Sequence, residues 1–321
     1  MIAGPSAAAD PSRYMTAELI TESGFPAPGS TILVGIRFDP RPGWHGYWSN
    51  PGDSGIAPSV RWTAPQGVTF GPLLHPAPSL LTANGVSSYV HEGPHVLISR
   101  MSVPAALGQG SPIPVVADLH WAACTADQCV PLHAELKLDL KAGDGAKGKG
   151  WPALRTAAAR LPVAVPSGHF TRDKSLVRLV LPASVHLDPG STHFFADEGD
   201  TFDSAKGHTE LRDGMLTITG PAMAKLPRSI AGVATDGLNS YRIAFDRREK
   251  PFEPAKMPVS AAAAATAPSS NPADPLASSA PQSDTKSAGA APNRKQMWIA
   301  ILAAVFAVAG LFLTGRLAKR P

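Results

Sequence analysis

Apolar and polar residues alternate over long stretches of this chain. Ile32, Val34, Ile36 and Phe38 mark one face of a strand, and Ala134, Leu136, Leu138 and Leu140 mark another, with Glu135, Lys137 and Asp139 between them. A period of two sends successive side chains to opposite sides of a sheet, so each run predicts a half-buried strand. Val96–Val103 and Val115–Trp121 read the same way, and the pattern returns in Leu176–Leu181, Met215–Thr219 and Tyr241–Phe245. A Gly/Lys/Ala stretch at 141–150 separates the two blocks and leads into a short helix candidate over Pro152–Arg160. Short strands punctuated by turns, in two blocks, predict an all-β fold of two β-sandwiches. The expected division is 15–141 for the first, 142–169 for a linker with the short helix, and 170–250 for a smaller second sandwich.

Beyond 250 the pattern changes. Residues 251–296 are rich in Ala, Ser and Pro with few apolar anchors, a composition that buries too little surface to offset its ordering entropy. A disordered linker is expected there, and its most biased part, about 36 residues over 258–293, would have a reach of roughly 30–36 Å. Met297–Leu313 carries no charge, and Thr314 and Gly315 extend the run. At 1.5 Å per residue, 297–315 would span roughly 26–28 Å, enough for one transmembrane helix. Trp298 stands at one edge, Arg294 and Lys295 precede the run, and Arg316, Lys319 and Arg320 form a basic tail over 316–321. The greater positive charge after the span predicts a cytoplasmic C-terminus and a folded part on the far side of the membrane. Ser6-Ala7-Ala8-Ala9 resembles a signal cleavage region, so 1–14 is expected to be a signal remnant or disordered.

Composition narrows the classes. The chain has 321 residues, including 33 prolines and 29 glycines, which argues for turn-rich β structure over a helical bundle. Its formal charge of +4 comes from scattered basic residues without a stripe or aromatic interleaving, so no nucleic-acid partner is expected. A Walker motif and a G-x-S-x-G elbow are missing from the sequence, and no organic cofactor is expected.

The chemistry-bearing residues concentrate in one segment, WAACTADQCVPLHAELKLDL. Cys124 and Cys129 are the two cysteines, five positions apart, between strands that could pair as a hairpin. A bridge enclosing so short a loop adds little loop-closure stabilisation, whereas a loop tip is open to an incoming thiolate. The spacing therefore favours redox exchange over a staple, with a short structural disulfide as the alternative. His120 and His133 complete an H-x3-C-x4-C-x3-H pattern, four possible ligands for zinc or copper, although the strand pattern is expected to turn both imidazoles away from the cysteines.

The run Gly43-Trp44-His45-Gly46-Tyr47-Trp48-Ser49-Asn50-Pro51-Gly52-Asp53-Ser54-Gly55 resembles the W-H-x-Y-W-x-N-P-G-D-S-G signature of the N-terminal periplasmic region of DsbD-family thiol:disulfide interchange proteins. Within that family the likeness is to the branch related to ScsB. Trp62-Thr63-Ala64-Pro65-Gln66-Gly67, His75-Pro76-Ala77-Pro78 and Trp121…Cys124…Cys129-Val130-Pro131 continue it in order, over about 17–140, with a weaker similarity over 194–246. Taken on their own, the aromatic and turn residues of the run read as scaffold.

The resemblance implies immunoglobulin-like sandwiches and a protein-disulfide reductase type of activity. Cys129 would be attacked by partner thiolates and Cys124 would resolve the mixed disulfide. Reducing equivalents would pass from a membrane-side, thioredoxin-like donor to periplasmic thiol proteins, in systems serving cytochrome c maturation or copper tolerance. It places a cap over the disulfide near Tyr89-Val90-His91-Glu92-Gly93, which makes Tyr89, His91 and Glu92 tuning candidates. Relatives often read Gly-Tyr where this chain has Val90-His91. They also continue into a multi-span domain and a thioredoxin-like domain, so this chain is expected to act as a tethered module on the inner membrane, its folded part periplasmic. The alternative is an anchored, non-catalytic module that binds copper or a protein partner.

Overall fold

The computed structural model describes residues 10–174, 176–199, 201–202, 208–219 and 226–248. The first module contains ten strands: β1 (Met15–Thr21), β2 (Thr31–Pro40), β3 (His45–Gly52), β4 (Ser59–Thr63), β5 (Thr69–Phe70), β6 (Ser79–Ala83), β7 (Val86–Glu92), β8 (His95–Ser102), β9 (Pro112–Cys124) and β10 (Cys129–Lys141). They form two sheets, ordered β1-β2-β8-β5 and β10-β9-β3-β7-β6, with β4 also paired to β9. The alternating residues of β2 meet those of β9 and β10 in one core: Ile32, Val34, Ile36 and Phe38 pack with Ile113, Val115, Leu119, Trp121 and Leu140. The predicted first sandwich is present, with the predicted faces turned inward.

The segment expected as a linker is partly built into this module. Helix α1 (Trp151–Ala159) buries Leu154 completely on the outer side of the first sheet. It can do so because β2 carries Gly35 there: a Cβ at that position would stand 2.7 Å from Leu154 Cδ2 and 2.9 Å from Val96 Cγ1. The helix is thus a packed element, and only its flanks connect the modules.

The second module has strands β11 (Val163–Ala164), β12 (Gly168–Asp173), β13 (Leu176–Val180), β14 (His193–Ala196), β15 (His208–Arg212), β16 (Met215–Thr219), β17 (Ser229–Thr235) and β18 (Ser240–Arg247). They join in one hydrogen-bonded path, β14-β17-β18-β12-β13-β16-β15, with β11 on β18. Strands from both ends of that path, through Phe194 and Leu211, share one core with Phe170, Leu216 and Phe245. Two halves of the path, β14-β17-β18 and β13-β16-β15, therefore face each other across that core, with β12 between them, parallel to β18 and antiparallel to β13. This agrees with the expected smaller sandwich, whose two sheets are joined into one path because β12 pairs with both β13 and β18. Alternation predicts that a strand has an apolar face but not which neighbour supplies its ladder.

The modules meet through a small aromatic cluster, Trp48 and Tyr89 of the first against Phe195 and Val233 of the second. Asn50 Nδ2 donates to the Ala196 carbonyl across this contact, at 2.8 Å. Among the described residues no helix is long and apolar enough to cross a membrane. The expected signal remnant falls largely outside the described residues, and the linker at 251–296, the span at 297–315 and the basic tail lie wholly outside them.

Candidate active site: a cross-strand cysteine pair

Strands β9 and β10 run antiparallel in unbroken register from Lys141↔Pro112 to Cys129↔Cys124. The pairing brings the cysteines face to face at the loop end of a long hairpin, with Cα atoms 4.2 Å apart and the sulfurs joined in a disulfide. Residues 125–128 close the hairpin. The Thr125 amide donates to the Gln128 carbonyl at 2.8 Å, and Thr125 Oγ1 accepts from the amides of Asp127 and Gln128, each at 3.3 Å. A side chain that satisfies turn amides in this way fixes a short loop without burying it.

The two sulfurs have different surroundings. Cys124 is buried and packs with Tyr47, Val90 and Ala122, whereas Cys129 is exposed. The Tyr47 hydroxyl lies 3.5 Å from Cys129 Sγ. Burial pushes the Tyr47 phenol above its ordinary value, so the hydroxyl keeps its proton and can donate. A groove of about 270 Å³ opens beside Cys129. It is lined by His45, Tyr47 and Ser54, by Leu81, Ala83 and Val86 of the β6–β7 hairpin, and by the loop at 125–128. Asn84 and Gly85, both at positive φ, make the two-residue tip of that hairpin.

The proline- and glycine-rich run after β3 holds Tyr47 in place. Gly55 lies against the ring so closely that a Cβ there would stand 2.1 Å from Tyr47 Cε1. The Asp53 amide donates to the Ser87 carbonyl (2.9 Å), Asp53 Oδ2 accepts from the Ser87 amide (3.0 Å), and Ser88 Oγ donates to the Ser54 carbonyl (3.1 Å). The run is scaffold, as its turn chemistry predicts, but one of its aromatic residues reaches the disulfide.

Strand register decides which predicted tuning residues can approach the cysteines. Cys129 pairs with Cys124, Cys124 with His45, and His45 with Glu92, so these four form one row across the sheet on the same face. Glu92 ends this row, with His45 between it and the disulfide. Burial holds the His45 imidazole below its ordinary pKa, against a smaller opposing pull from the Glu92 charge. Tyr89 and His91 do not cover the disulfide. Strand alternation sends them to the face opposite Val90, where Tyr89 joins the contact with the second module. His91 is buried there beside His95 and His75, with ring centroids 4.6 and 5.9 Å away. Tyr47 and His45 are the residues that sequence reasoning left out of the site. Their shared parity in His45-Gly46-Tyr47 was visible, but the pairing of β3 with β9 was not.

His120 and His133 are cross-strand partners on the same outward face as the cysteines, which corrects the expectation that they point away. They are four residues along the strands from the disulfide, roughly 13 Å. The four-ligand set of two histidines and two cysteines is therefore not assembled. Both imidazoles turn to Asp118 instead, with Nε2 at 2.7 Å for His133 and 3.4 Å for His120 from Asp118 Oδ1.

Residues 17–141 match the family model described as thiol:disulfide interchange protein DsbD, N-terminal. No curated protein matches the chain. Among solved structures, the N-terminal periplasmic domain of ScsB from Proteus mirabilis superposes with a TM-score of 0.54 at 16% identity, covering 73% of this chain and 93% of that one. That coverage exceeds what the first module could supply, so the shared fold extends into the second. The reduced N-terminal domain of DsbD from Neisseria meningitidis aligns with a TM-score of 0.26 at 12% identity, covering 44% of this chain and 95% of that one. With its cysteine pair in a disulfide at the end of the β9–β10 hairpin, the segment 17–141 belongs to the N-terminal domain family of the thiol:disulfide interchange protein DsbD.

Proposed function

We propose that this chain is a thiol–disulfide exchange module that passes reducing equivalents from a thioredoxin-like donor to periplasmic thiol proteins. The observation that carries this reading is the asymmetry of the pair: Cys129 exposed beside a groove, Cys124 buried beneath Tyr47 and Val90. An incoming thiolate must approach one sulfur in line with the bond it breaks, and Cys129 is the accessible one. Donor thiolate attack on Cys129 Sγ forms a mixed disulfide, breaks the Cys129–Cys124 bond and releases Cys124 as a thiolate that takes up a proton. The donor's second thiolate then attacks its own sulfur in the mixed disulfide and releases Cys129, so two electrons have been transferred. Delivery to an oxidised partner runs the same steps in reverse, with Cys124 resolving. The Tyr47 hydroxyl supports Cys129 as a thiolate by donating to it. The apolar run at 297–315 and its flanking basic residues support a single-pass inner-membrane tether with the folded part in the periplasm.

Two measurements test this. Cys124→Ser leaves Cys129 free and is expected to trap an oxidised thioredoxin-like domain as a mixed disulfide on non-reducing gels, whereas Cys129→Ser is not. Glutathione titration of the unsubstituted pair is expected to give a potential between roughly −180 and −270 mV. A potential below about −300 mV, with no trapping by either variant, would mark a structural bridge and an anchored binding module instead.

A further inference from the structure

The β9–β10 hairpin brings together a second group of side chains, separate from the cysteines. His133 faces His120 directly across the strands, their rings 4.4 Å apart and inclined by 27°. Asp118 lies two positions before His120 on the same strand face, and both Nε2 atoms converge on its Oδ1. One nitrogen from each imidazole and one carboxylate oxygen all lie within 4.8 Å of one another. Ligands about 2.0–2.1 Å from a tetrahedral ion stand about 3.3 Å apart, so small side-chain rotations would close the set around one. The other Asp118 oxygen is held by Arg61, from β4 on the neighbouring edge of β9. That ion pair orients the carboxylate and leaves Oδ1 directed at the imidazoles. The histidine side chains are about half exposed (60% and 44%), so an ion could enter and a fourth position would stay open to water.

We propose that Asp118, His120 and His133 form a binding site for a divalent transition-metal ion of the zinc class. Two imidazoles and one carboxylate suit such an ion, whereas calcium and magnesium take oxygen ligands. The site is built on two central rungs of a regular hairpin, so its ligands are brought together by strand register before any ion arrives. It does not need the cysteines, which are bonded to each other, and it stands whether or not the disulfide is redox-active.

The test is equilibrium binding of Zn2+ to the oxidised full-length chain, with Co2+ absorption as the second readout. One equivalent of Zn2+ is expected to bind, and Co2+ is expected to give d–d bands without a thiolate charge-transfer band. His120→Ala, His133→Ala and Asp118→Asn are each expected to weaken binding at least as much as the loss of an outer-shell partner does, about 10–100-fold. Asp118→Asn retains the side-chain shape and guards against a folding defect, which circular dichroism would check in all three. Absence of Zn2+ uptake by the unsubstituted chain would overturn the proposal, as would uptake unchanged in all three variants.

Discussion

Tyr47 shows how one side chain links scaffold and chemistry. Its ring lies beneath the turn that ends at Gly55, and its hydroxyl reaches Cys129 Sγ at 3.5 Å. In the reduced state a phenol that keeps its proton donates to a thiolate more favourably than to a thiol, and so lowers the pKa of Cys129. Tyr47→Phe removes that donor and little else. The variant is expected to show a raised Cys129 pKa in the pH profile of iodoacetamide alkylation, and slower attack on disulfides at neutral pH. An alkylation profile identical to that of the unsubstituted protein would mean the hydroxyl has no part in exchange. The sequence shows that an aromatic residue stands at 47. It does not show what the ring touches, because its partner lies 82 positions away.

At the scale of elements, the site depends on two hairpins and the turn that braces them. The alternation in β2, β9 and β10 is strong enough to assign their inner faces from sequence, because burying one face of a strand imposes a period of two. The turn after β3 is legible in kind, as Asn-Pro-Gly-Asp, but its contact with β7 is not. Gly52 sits at φ +83°, and a Cβ there would stand 2.7 Å from the Ser87 carbonyl oxygen, a backbone atom that cannot step aside. Gly52→Ala combines a left-handed backbone with that clash, so it is expected to cost about 1–3 kcal/mol. Denaturant unfolding would measure the loss. An unchanged midpoint would show that the turn yields without disturbing β7.

At the scale of the whole molecule, three imidazoles mark the ground beside the second module. His91 and His95 line a cavity of about 690 Å³ together with Thr235 and Tyr241 of the second module. Burial, joined by the positive charges of His95 and Arg242, lowers His75 to about 4. Burial also brings His95 to about 4, against a hydrogen bond to the Gly93 carbonyl that pulls the other way, and it holds His91 well below its ordinary value. The unfolded chain binds protons on these rings near pH 6.5, so it takes up more protons than the folded chain as pH falls below that value. Stability is therefore fully present above about pH 6.5, falls as pH drops towards about 4, and levels off once the folded imidazoles are protonated too. The contribution of His75 or His95 is on the order of 3 kcal/mol across that window, and coupling between the rings makes the sum less than additive. Urea unfolding at several pH values should show this slope, and His95→Gln should flatten it. Equal stability at about pH 7 and pH 4.5 would contradict the buried, neutral state of the trio.

The sequence by itself determined the β class, two blocks of strands, the short helix, the hairpin that carries Cys124 and Cys129, and the motif that marks the family. These are local: each follows from periodicity, turn residues or spacing within about a dozen positions. Tertiary structure alone decided that Cys124 is buried and Cys129 exposed, that Tyr47 reaches the disulfide while Tyr89 and His91 do not, and that β12 bridges the two halves of the second module. It also decided that His120 and His133 gather on Asp118 and not on the cysteines. Each of these turns on which strand pairs with which and in what register. A shift of one residue would send every side chain of a strand to the other face, and that choice is made by packing across the whole fold.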